Sequence, residues 1–143
     1  MGRTILGVIA GLATMFVVIM AIEALGHTLH PPPAGLNPML AEDMANIMMA
    51  MPAAAKAIVL VAWVVGAFSG GWVAAKIARQ HPRIAAVIVA AVVMSGVIGM
   101  ILQMPGHPLW MPGLGLLLPI PAALLAAKLA QPRMIMPTSQ SAQ

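Results

Sequence analysis

The sequence contains no cysteine. That excludes disulfides, iron–sulfur clusters and thiolate chemistry, and it leaves the redox compartment unwritten. Charge is nearly as scarce. Asp, Glu, Lys and Arg together make up 7% of the residues, against roughly 25% in an ordinary soluble domain. A soluble fold of 143 residues would lack the polar surface it needs. The catalytic signatures are missing too. There is no phosphate loop, no H-E-x-x-H and no nucleophile–base pair, so no enzyme is expected. No basic cluster is interleaved with aromatics, so no nucleic-acid partner is expected.

What fills the chain is apolar: 62% of it is hydrophobic. The class is integral membrane protein, all-α, with the lipid bilayer as its first partner. A helix needs roughly 20 apolar residues to cross a bilayer core. Four stretches qualify, at about 4–29, 53–78, 84–104 and 109–130. None alternates polar and apolar residues as a barrel strand would. The first is unbroken from Thr4 to Ile22, longer than the roughly 7–15 residues of a signal-peptide core. It reads as a retained span. The expectation is one membrane domain over 1–131, a four-helix bundle, followed by a tail at 132–143.

Charge placement orients the bundle. Arg3, Lys76, Arg79, Arg83, Lys128 and Arg133 fall on one side of four spans, and Lys56 is the exception. Glu23, Glu42 and Asp43 fall on the other side. The positive-inside rule then places both termini in the cytoplasm, in a multi-pass protein of bacterial inner-membrane type.

The outer loop carries its own element. "NPMLAEDMANIMMAMP" (37–52) offers Asn37 as N-cap, Pro38 at the first helical position and two acids in the first turn. Leu40, Met44, Ile47, Met48 and Met51 repeat at helical spacing. This predicts a short amphipathic helix over about 38–51, lying on the outer interface or capping the bundle.

Small residues predict where helices touch. Gly66 and Gly70 form a G-xxx-G pair, with Ala67, Gly71 and Ala75 on the neighbouring ridge. Gly96 and Gly99 suggest a similar contact in the third span. The same surfaces could serve a homo-oligomer or a larger membrane complex. Pro112, Pro119 and Pro121 are expected to bend or break the fourth span. Trp110 is expected as an interfacial anchor.

The first and third spans align without gaps at an offset of 80, setting Gly26-His27 on Gly106-His107 and Glu23 on Gln103. The second and fourth end alike, "AAKIARQHPR" against "AAKLAQPR". One reading is a parallel duplication of a two-helix hairpin, its halves related by a two-fold axis along the membrane normal.

The chemistry concentrates at "IEALGHTLHPPP" (22–33). On a continuous helix Glu23, His27 and His30 lie within roughly 60° of one another, with Met20 on the same side. Three functions fit. In the first, a structural or accessory protein uses this Glu/His cluster as polar glue and needs no cofactor. In the second, Glu23, His27, His30 and His107 hold a metal ion. Imidazole and carboxylate suit Zn(II), Cu(II) or Ni(II), and the 14 methionines would favour Cu(I). In the third, an intramembrane acid beside a histidine belongs to a proton-coupled transporter.

Overall fold

The computed structural model describes residues 2–31, 33–37, 40–103 and 108–131. The described residues form α1 (Gly2–Leu29), α2 (Ala41–Ala50), α3 (Ala53–Ile77), α4 (Pro82–Gln103), α5 (Trp110–Leu117) and α6 (Pro119–Ala130), with no strand among them. Four helical stretches are long and apolar enough to cross a membrane: α1, α3, α4, and α5 with α6 taken together over Trp110–Ala130.

The prolines interrupt the fourth stretch less than expected. α5 and α6 part only at Leu118, whose φ of −83° and ψ of −32° are still helical. The Leu118 N–H donates to the Leu114 carbonyl, and the Ala122 N–H donates to the Leu118 carbonyl. Pro119 sits in the first turn of α6, where its missing donor matters least. The backbone ladder therefore runs across the break.

α2 also starts later than the sequence suggests. Leu40, not Asn37, stands at the N-cap position and offers no side-chain cap bond. Instead the Asp43 carboxylate reaches back and accepts the Asn37 backbone N–H at 3.0 Å. Pro38 lies outside the described residues.

α3 is the hub. It packs against α1, α4, α5 and α6. The core is built largely of alanine: Ala62, Ala67, Ala74, Ala78, Ala85, Ala86, Ala90, Ala123, Ala126 and Ala127 are all fully enclosed. Alanine puts little side-chain bulk between helices, so close backbone approach and dispersion contacts hold them. Glycine permits the closest approach. A Cβ on Gly7 would lie 2.7 Å from the Ala74 carbonyl oxygen, and one on Gly11 2.6 Å from that of Gly70. On the facing helix, a Cβ on Gly66 would lie 2.5 Å from Ile19. This seam between α1 and α3 runs from Gly7 at one end to Ile19 towards the other. On a second face of α3, Gly71 meets Ala123 of α6. Gly66, Gly70 and Gly71 thus pack as their spacing suggests.

Gly96 and Gly99 do not. A Cβ on Gly96 would meet open space, and one on Gly99 would touch only Gln103 at 3.8 Å. Gly96 follows Val89 by two turns, on the same side of α4 as the buried stripe through Ala86, Val89, Ala90, Val93 and Val97, but no described residue stands opposite it. Spacing alone could not tell how far along α4 a neighbour accompanies that side.

The packing also lacks two-fold symmetry. A two-fold relating the halves would map the α3–α4 contact onto one between α1 and α6. α1 packs on α3 and α4 and has no comparable contact with α6. At the offset of 80, the seam residue Gly11 falls on Ala91, which is exposed. Gly106 and His107, which carry the repeat argument furthest, lie outside the described residues.

Candidate functional site

α1 runs helically to Leu29, and the His30 N–H still donates to the Gly26 carbonyl at 2.8 Å. The turn survives Pro31 because proline restricts the residue before it without removing that residue's own N–H. Glu23, Gly26, His27 and His30 therefore share one side of the final turns of α1. Gly26 lets this side close on α3, where a Cβ would lie 3.0 Å from Ile58.

Beside them opens a recess of about 180 Å³. α1 contributes Glu23 and His27 to its wall, with His30 just beyond the helix, and α3 contributes Ala55, Ile58 and Val59. α2 contributes Met44 and Met48, with Met51 at its C-cap, and α4 contributes Met100. The periodic face of α2 is thus turned inward: Ile47 and Met48 are buried, while Glu42 and Asn46 are exposed. Pro52 stands at the N-cap of α3 with extended backbone, so only Met51 and Pro52 separate α2 from α3. A smaller recess of about 120 Å³ adjoins it, with His30 and Met51 shared between the two and Pro31 and Pro33 in its wall.

Among the described residues no side-chain hydrogen bond joins one helix to another. Glu23 and His27, one turn apart, interact electrostatically. Neither they nor His30 make a side-chain hydrogen bond among the described residues, where the side-chain bonds involve Thr14, Thr28, Asp43, Ser69 and Ser95. No polar or charged residue among those described is buried. His107, the remaining candidate ligand, lies outside the described residues. Met20 turns away from the recess and is 64% exposed. Among the described residues no three His, Cys, Asp or Glu side chains are grouped to hold a metal ion. Methionine is the donor the recess supplies in quantity.

The middle of the bundle offers little chemistry. Ser69 Oγ donates to the Val65 carbonyl at 2.8 Å, Thr14 Oγ1 to Ala10 at 2.9 Å, and Ser95 Oγ to Val92 at 2.8 Å. Each hydroxyl is satisfied within its own helix. Trp63 is buried at 8% exposure against Gly115, where a Cβ would lie 2.8 Å from the ring. Trp110 stands at the start of α5, 40% exposed, where an interfacial anchor would be placed.

At the opposite end lies a wider cleft of about 590 Å³, lined by Lys76, Arg79, Pro82 and the end of α6. Lys76 Nζ sits 4.9 Å from the centre of the Trp72 ring, a cation–π contact beside apolar surface. This end carries Arg3, Lys76, Arg79, Arg83 and Lys128, and the recess end carries the three acids together with Lys56.

Sequence reasoning reached Glu23, His27, His30 and the methionines of α2. It passed over Gly7, Gly11 and Gly115, although "GVIAG" (7–11) shows the same spacing as Gly66 and Gly70. No protein family, curated protein or solved structure matches the chain.

Proposed function

We propose that this chain is a multi-pass inner-membrane protein of structural or accessory type, with both termini cytoplasmic. Its bundle is held by the glycine seam between α1 and α3 rather than by its polar residues. The observation that carries this reading is the apolar interior. A conduit needs polar side chains or freed backbone groups at mid-depth to replace hydration. Here every buried residue among those described is apolar or glycine, and the span hydroxyls bond within their own helices. Among the described residues no buried polar side chain continues from the recess at the acidic end into the bundle. Small sealed bundles serve membranes as packing partners, and the outward-facing residues of α1, among them Ile9, Phe16 and Val17, offer apolar surface to lipid or to another membrane helix.

The recess favours a second reading, metal binding, over proton-coupled transport, because it gathers donors without a path beyond them.

The test is reconstitution. Proteoliposomes carrying the chain are expected to hold proton and potassium gradients as well as empty vesicles do. A pH-driven flux that disappears in Glu23→Gln would overturn the accessory reading.

A further inference from the structure

Four thioethers, two imidazoles and one carboxylate around a single small recess are an unusual donor set for a packing feature. Met44 and Met48 stand one turn apart on α2, and Met51 follows on the same face. Met100 reaches the recess from α4, and His27 and Glu23 reach it from α1. Three separate elements therefore deliver soft or borderline donors to one place.

We propose that this recess is a binding site for a single soft monovalent cation, Cu(I), held by methionine thioethers and a histidine. Three properties select that ion. Thioether sulfur is a neutral, polarizable ligand that suits Cu(I) and binds Zn(II) or Mg(II) poorly. The oxygen and nitrogen donors alone are too few here for a harder ion, since no three His, Cys, Asp or Glu side chains are grouped among the described residues. The charge also matters. Ala55, Ile58 and Val59 give the recess an apolar wall, where a dication with neutral ligands would be poorly tolerated. A single positive charge is the smallest that such a wall must accommodate, and Glu23 stands beside it. Because the interior beneath is apolar, the ion is held and not conducted. The site is independent of whether the protein acts as an accessory subunit.

Methionine also fills cores as a flexible apolar side chain, and the experiment separates the two roles. Leucine conserves most of methionine's volume and removes its sulfur. Purified full-length protein is titrated anaerobically with Cu(I) against a chromogenic Cu(I) chelator. One Cu(I) per chain is expected. Replacing Met44, Met48 and Met51 by leucine together should leave the thermal unfolding of the metal-free protein nearly unchanged. It should lower Cu(I) affinity by more than the roughly 10- to 100-fold typical of second-shell changes. His27→Gln should also weaken binding, and Met20→Leu, outside the recess, should not. A direct readout uses protein labelled with selenomethionine: X-ray absorption at the copper edge should show selenium as a direct neighbour. If wild-type protein fails to compete with the chelator, or if the triple leucine variant binds Cu(I) as tightly as wild type, the site does not exist. Copper bound without a selenium neighbour would equally overturn it.

Discussion

Gly11 of α1 and Gly70 of α3 approach so closely that a Cβ on either would stand 2.6 Å from the other's carbonyl oxygen. Contact of backbone on backbone at this range leaves no room for a flexible neighbour to yield. The pair sits mid-seam, with Ala74 and Val89 closing around it. It locks α1 against α3 backbone to backbone.

Gly11→Ala and Gly70→Ala should each destabilise the bundle by about 1–3 kcal/mol, the usual range for overpacking. Gly96→Ala is the matched control. Its Cβ enters open space, so it should be neutral or stabilise by up to about 1 kcal/mol through helix propensity. Thermal unfolding in detergent reads all three. Equal melting temperatures across the set would mean that α1 does not pack on α3 as described.

Trp63 and Gly115 make a second fitted pair. Trp63→Ala should cost about 3 kcal/mol, because α5 cannot collapse onto the space left behind. Fluorescence gives an independent check. A variant keeping only Trp63 should resist acrylamide quenching, whereas one keeping only Trp110 should be quenched readily.

The absence of cysteine makes orientation simple to measure. Ala34→Cys and Gln80→Cys introduce single thiols at exposed positions on the two ends of the bundle. An impermeant maleimide applied outside intact cells should label Ala34→Cys, and should label Gln80→Cys only after permeabilisation. The reverse pattern would invert the topology.

Asp43 ties the preceding loop to α2 through the Asn37 N–H. Asp43→Ala removes the acceptor and should cost about 1 kcal/mol locally. Asp43→Asn keeps a carbonyl oxygen and should cost less. Hydrogen exchange at the Asn37 amide should quicken in the alanine variant and change little in the asparagine variant.

Much of the architecture was legible in the letters. The four apolar stretches, the methionine face of α2 and the clustering of Glu23, His27 and His30 on one side of the end of α1 all follow from local spacing, whereas the inward turn of that methionine face does not. The start of α2 was misread, because Asn37 and Pro38 resemble an N-cap and first turn while the structured contact runs backwards from Asp43. Gly96 and Gly99 were misread for a different reason. A G-xx-G spacing names a narrow helix face without saying what stands opposite.

The sequence by itself determined that four helices are long and apolar enough to span a bilayer, and where each one stops. Hydrophobic length, proline and charge act within a few residues, so no partner is needed to read them. Only the tertiary structure decided that Gly7 and Gly11 meet α3, that Gly96 faces no described neighbour, and that Glu23 lines a recess without a hydrogen bond to any described residue. The long helices are apolar on nearly every side, so their periodicity does not mark an inner face. Which faces meet is then decided by steric fit between helices far apart in the chain, and that fit exists only once they are packed together.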